Sequence, residues 1–273
     1  VTTTAVRSQV GEFLDDLGRS ALIGYLPVGY PSVDGSIDAV RTMIDAGADI
    51  VELGMPYSDP GMDGPTIQRA VDAALAGGTR VADSLRAVEQ VAGRGAPVLV
   101  MTYWNLVLRY GVDAFARDLA AAGGAGLITP DLIPDEAADW IAASDAHGLD
   151  RVFLVAPSST PERLASTSAA SRGFVYAAST MGVTGERATV GTRAAELVAH
   201  TREAGAEHVC VGLGVSRPEQ AAEVAGYADG VIVGSALVRA LLDAPDAAAG
   251  RDALARVTAD LAAGVRSATR AGR

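Results

Sequence analysis

The chain has 273 residues, 49% hydrophobic and 20% charged, and its 33 acidic against 22 basic side chains give a formal net charge of −11. None of the basic residues is lysine, which excludes a Schiff-base aldolase, a pyridoxal-phosphate enzyme anchored through its own lysine, and a nucleotide-binding P-loop of the usual kind. The acidic balance argues against nucleic acid or an anionic membrane surface as partner, because both need a basic face.

In chain order, an amphipathic helix is expected over 8–17, with Val10, Phe13, Leu14 and Leu17 on one side. Strands are then expected at 21–28, 49–54, 97–103, 126–130, 151–156, 174–179, 208–214 and 230–234. Most are short continuous apolar runs, the pattern of strands buried on both faces of a parallel sheet. Between them run helical patterns such as 37–46, 82–91, 112–122, 136–146, 193–203 and 220–225, and a last helix is expected over 253–269. Gly47, Gly123 and Gly205 each stand where the residue after a helix belongs.

No linker or charge run divides this βα repeat. The expected architecture is a single domain over 1–273, an α/β eight-stranded parallel (β/α)8 TIM barrel with an extra N-terminal helix. A doubly wound open sheet is the second choice, but no Gly-x-Gly-x-x-Gly follows the first strand.

The single cysteine, Cys210, excludes an intrachain disulfide and a cysteine-rich zinc site, and in its apolar run it reads as a buried, inert thiol. His147 and His200 fall at helix ends and His208 at the base of a strand, so no metal-ligand cluster is expected. No apolar run approaches the ~20 residues of a membrane span. The first residues, Val1-Thr-Thr-Thr, carry no charged-then-apolar leader pattern, and a cytoplasmic protein is expected.

In such barrels the chemistry sits at the C-terminal ends of the strands. The second strand carries Glu52 between Val51 and Leu53, where an ionised carboxylate is costly unless it is paired or its pKa is raised. An ion pair with an arginine and an acid/base role are both open on this segment alone. The loop that follows adds Asp59 and Asp63, shaped by Pro56, Pro60, Gly61 and Gly64, and makes Glu52 and Asp63 a candidate acid/base pair.

Glycine-rich ends follow the last three strands: Gly182-Val-Thr184-Gly185, Gly212-Leu-Gly214, and Gly234-Ser235 ahead of a short apolar helix over 236–242. Late loops of this kind hold phosphate through backbone N–H groups and a helix N-terminus, so no lysine is needed. A small phosphate ester is the expected substrate. Tyr103, Trp104 and Asn105 follow the third strand and Tyr176 lies in the sixth; these aromatics either line a pocket or fill the core, with core filling the first choice for Trp104.

Together these residues resemble the tryptophan synthase α-chain family. The similarity runs from Ala21-Leu-Ile-Gly-Tyr to Gly234-Ser-Ala-Leu-Val, and its most specific stretch is Glu52-Leu-Gly-Met-Pro-Tyr-Ser-Asp-Pro-Gly-Met-Asp-Gly-Pro-Thr-Ile-Gln. Gly182-Val-Thr-Gly185 and Tyr103-Trp-Asn105 are further matches. The resemblance implies a barrel lyase of tryptophan biosynthesis that cleaves indole-3-glycerol phosphate to indole and glyceraldehyde 3-phosphate. It makes Glu52 and Asp63 the catalytic carboxylates and Tyr176 a neighbour that positions the glutamate. Phosphate falls to Gly185, Gly214, Gly234 and Ser235, with Gly212 in the same cradle, and Thr184 to a loop that closes near Asp63.

The resemblance also implies an α2β2 complex with a pyridoxal-phosphate β chain that joins indole to serine, with Pro56, Asp59 and Asn105 as contacts and no cofactor in this chain. The chain departs from the family pattern at Tyr30 in Pro27-Val-Gly-Tyr-Pro31, where many members have Gly-Asp-Pro, and at Gly61, Met62 and Met181. A stand-alone indole-releasing lyase shares every site residue. A degenerate regulatory barrel has no need of a buried glutamate. A phosphosugar isomerase is disfavoured by the missing lysine and the lack of histidine near the strand ends.

Overall fold

A computed structural model of the chain describes residues 7–178, 187–212 and 214–269, with the backbone alone at 187–191. Strands β1 (Ala21–Pro27), β2 (Ile50–Gly54), β3 (Val98–Met101), β4 (Gly126–Ile128), β5 (Asp150–Val152), β6 (Leu154–Val155), β7 (Val175–Ala178), β8 (Val209–Gly212) and β9 (Gly230–Val233) form one sheet. Every neighbouring pair is parallel, in the order β5-β4-β3-β2-β1-β9-β8-β7-β6.

The two ends of that order are one strand interrupted at Phe153. The Val152 carbonyl accepts the Thr129 N–H at 3.3 Å on the β4 side, and the Phe153 carbonyl accepts the Tyr176 N–H at 3.0 Å on the β7 side. The sheet is therefore closed, and the open doubly wound alternative is excluded. The eight expected strands correspond to these nine stretches, the fifth appearing as β5 and β6.

Closure gives each strand an inside and an outside, and alternation sorts its residues between them. Ile23, Ile50, Leu99, Ile128, Val152, Cys210 and Ile232 form an interior cluster, while Leu22, Val51, Val100, Leu127 and Val231 meet the surrounding helices. Both sets are buried, which is why the strands read as unbroken apolar runs.

The helices are α1 (Gln9–Leu17), α2 (Val33–Asp45), α3 (Pro65–Ala76), α4 (Val81–Val91), α5 (Trp104–Tyr110), α6 (Val112–Ala121), α7 (Ala138–His147), α8 (Pro161–Ala170), α9 (Arg187–Glu203), α10 (Pro218–Ala225), α11 (Ser235–Leu242) and α12 (Ala247–Ser267). Gly47, Gly123 and Gly205 have φ of 111°, 82° and 103°, the backbone that glycine supplies after a helix. Helices α3, α5 and α8 were not among the stretches read from periodicity. Each of α3 and α8 opens with proline in its first turn.

Helix α1 closes the N-terminal end of the barrel, sending Val10 and Leu14 into the interior cluster. Its Val10 N–H donates to Asp150 Oδ2 at 2.8 Å, a buried bond between the helix start and β5. The opposite, C-terminal end is left to the loops.

Candidate active site

Register places the second strand's acid. Tyr25 of β1 and Leu99 of β3 stand opposite Glu52, so its side chain points into the barrel near the C-terminal mouth. Glu52 is fully buried, and neither carboxyl oxygen has a hydrogen-bond partner. The arginine ion pair left open by the sequence is absent among the described residues. Burial alone pushes its pKa up to about 8, so the neutral acid dominates at pH 7.

Asp63 comes from the loop between β2 and α3. Its N–H donates to the Pro60 carbonyl at 3.1 Å, and Gln68 Nε2 reaches back to the Asp63 carbonyl at 2.7 Å. Tyr103 fixes the same loop: its Oη accepts the Met62 N–H at 2.9 Å, and its ring stacks on Tyr57 with centroids 5.0 Å apart. The Asp63 side chain is half-buried, and desolvation pushes its pKa up to about 6. The two carboxyls thus sit in environments that split their pKa values, one protonated and one ionised at pH 7.

Two tyrosines complete the mouth. Tyr176, on β7 opposite Cys210, lies over Gly212, where an added Cβ would overlap its ring. Tyr25 lies in the same way over Gly54. Burial holds both phenols well above the ordinary range, with smaller contributions from the negative potential of Glu52 and Asp63. Tyr25 was missed in the sequence, where an aromatic in an apolar strand looks like core. Only its register with Glu52 distinguishes it.

The phosphate candidates cluster on adjacent strands. Gly212 ends β8, Gly214 follows in the left-handed region at φ 66°, and Gly234 and Ser235 join β9 to α11. The start of α11 has no side-chain cap. A helix N-terminus without one presents N–H groups to an anion. Thr184, Gly185 and Met181 lie outside the described residues.

Of the three contact positions, Asp59 and Asn105 are exposed, while Pro56 is buried in its own loop. Trp104, at the start of α5, is half-buried and packs against the larger of the two apolar core clusters. His147 bonds Asp113 at 2.9 Å, and His208 lies 3.6 Å from Asp15 at the closed end. No group of three metal-ligating side chains occurs among the described residues.

The family model of the tryptophan synthase alpha chain matches residues 13–267. The chain is 64% identical over 262 residues to the tryptophan synthase alpha chain of Mycobacterium marinum, covering 95% of each. The identity to that of Mycobacterium tuberculosis is 62% over 262 residues, again with 95% of each covered. A crystal structure of Mycobacterium tuberculosis tryptophan synthase superposes with TM-score 0.88 at 61% identity, over 95% of this chain and 99% of that one. The alpha subunit from Legionella pneumophila superposes with TM-score 0.85 at 31% identity, over 95% and 98%.

Proposed function

The chain belongs to the tryptophan synthase alpha chain family, and on that premise we propose that Glu52 and Asp63 carry out its carbon–carbon cleavage. The chain is the indole-producing subunit of tryptophan biosynthesis, a lyase that cleaves indole-3-glycerol phosphate to indole and glyceraldehyde 3-phosphate. The β chain is its partner and takes the indole on to tryptophan.

The cleavage is a retro-aldol step. Protonated Glu52 delivers its proton to indole C3 and turns the ring into an indolenine electron sink. The resulting carboxylate takes the proton from the side-chain hydroxyl next to the ring. The C3–carbon bond then breaks, its electron pair restores the aromatic ring, and the hydroxyl carbon becomes the aldehyde. Glu52 ends protonated, as it began. Asp63, ionised throughout, accepts the indole N–H hydrogen bond and stabilises the positive charge that develops on nitrogen.

The observation that carries this reading is a fully buried glutamate without a partner, at about 8, facing a mouth that also holds an acid at about 6. A binding-only barrel gains nothing from such a group. Gly212, Gly214, Gly234 and Ser235 take the phosphate through backbone N–H groups and the α11 dipole, joined by Gly185. Tyr176 orients Glu52. Tyr103 acts on the substrate site by holding the Asp63 loop.

In this reading the chain needs no cofactor of its own, pyridoxal phosphate belongs to the β chain, and Pro56, Asp59 and Asn105 mark the loops that meet it. A cytoplasmic α2β2 complex fits a chain in which no described helix is long and apolar enough to cross a membrane.

Glu52→Gln keeps the shape and removes the acid, so turnover should fall at least ~100-fold with the circular-dichroism spectrum unchanged. Release of glyceraldehyde 3-phosphate measures it, and near-normal cleavage by the variant would overturn the assignment.

A further inference from the structure

β1 lies between β2, which carries Glu52, and β9, which leads into Gly234 and Ser235. On the reading above, phosphate binds at the end of β9 and the breaking bond lies at Glu52. The three-carbon chain of the substrate must then cross the C-terminal end of β1. The inward side chain of β1 at the level of Glu52 is Tyr25. Its neighbour Gly24 faces outward, against Met43 and Leu237 of the surrounding helices.

The Tyr25 ring is fixed across this gap by two glycines. A Cβ on Gly54 would overlap the phenol oxygen, and a Cβ on Gly234 would stand 3.3 Å from Tyr25 Cδ1. The phenol oxygen therefore occupies the place of a side chain at position 54, two residues beyond Glu52 toward the mouth. The other edge of the ring borders the phosphate end. The residue is 6% exposed, and the Glu52 carboxyl does not engage the phenol. Its proton is held firmly, because burial and the nearby carboxylates both oppose ionisation.

We propose that Tyr25 is a substrate-contact residue of the cleavage, its phenol O–H donating a hydrogen bond to the substrate hydroxyl next to the bond that breaks. The bond strengthens as that oxygen loses its proton to Glu52, so it favours the transition state over bound substrate. It also makes the site prefer a hydroxylated three-carbon chain over a bare one. The inference rests on the Glu52 assignment.

The test uses the chain assembled with its β chain and follows glyceraldehyde 3-phosphate release. Tyr25→Phe should lower kcat about 10- to 100-fold with KM changed less than about threefold. Inhibition by the deoxy analogue, an indole joined to phosphate through an unsubstituted three-carbon chain, should stay within about twofold of wild type, because it has no hydroxyl to lose. A merely structural role for Tyr25 would weaken analogue and substrate together, and that result would overturn the proposal, as would unchanged kcat. Glu52→Gln run in parallel separates the two assignments. An active Glu52→Gln removes the glutamate's role, whereas an inactive one beside a fully active Tyr25→Phe removes only the tyrosine's.

Discussion

A carboxyl group in a strand buried on both sides ionises at a cost of about 1.4 kcal/mol for each unit by which its pKa is raised. Glu52, at about 8, carries that cost because nothing on the protein offsets it. On the proposed mechanism the free enzyme must hold Glu52 protonated and Asp63 ionised. The active fraction is lost as pH rises through about 8, where Glu52 ionises, and as pH falls through about 6, where Asp63 protonates. kcat/KM measured from about pH 5 to 9.5 should therefore be bell-shaped between these values. In Asp63→Asn the acid limb should vanish from a much reduced rate while the alkaline limb remains. An alkaline limb that stays flat to pH 9.5 would refute the role of Glu52 as the acid. The glutamate was legible in the sequence because a charge inside Ile50-Val51-Glu52-Leu53 is conspicuous. Tyr25 was not, because its meaning lies in what stands beside it on β2 and β9, and strand register is not written in one strand's composition.

Elements were legible where burial imposed a pattern. The strands stand out because both faces of the sheet are covered, and α1 because one apolar face enters the interior. The missed helices had weaker patterns. α5 has seven residues, and α8 buries only Leu164, Thr167 and Ser168 in a run rich in serine and alanine. α3 follows the loop that carries Asp63, with Pro65 at its start, where the loop's turn residues mask its onset. How α1 is anchored was not legible either, since it depends on residues 140 positions apart. Asp150, fully buried, accepts the Val10 N–H at 2.8 Å and lies 3.5 Å from Arg172 Nε. Asp150→Ala leaves a buried helix N–H without its acceptor and the Arg172 guanidinium without this nearby counter-charge, which should cost about 3 kcal/mol. Urea unfolding monitored by circular dichroism reads that loss. kcat should change little, because the anchor lies at the end of the barrel away from the mouth, and unchanged stability would show that α1 is held by its apolar face alone.

Closing the sheet brings to one mouth what the chain keeps far apart, so Tyr25, Glu52, Asp63, Tyr176 and Gly234 become neighbours although they come from five different segments. The same closure sorts the surface. The exposed large apolar side chains among the described residues are Met62, Leu108, Tyr110 and Ile133, from the segments after β2, β3 and β4. They share the rim with Asp59 and Asn105, both exposed, so this flank of the mouth combines apolar area with polar groups that can set orientation. On the proposed reading, a β chain seated there would close over the site from which indole leaves. Leu108, 58% exposed on α5, tests this arrangement. Leu108→Glu would place a charge against the partner's surface and should weaken α/β association at least about tenfold, a change read by sedimentation of mixtures. Indole release by the isolated variant should stay within about twofold of wild type, since Leu108 points to solvent in the free chain. Followed as β chain is added, the cleavage rate of the variant should reach the same plateau as wild type, at a correspondingly higher β-chain concentration. Unaltered association would move the interface away from this flank, and a lost plateau would mean that α5 shapes the site as well as the contact.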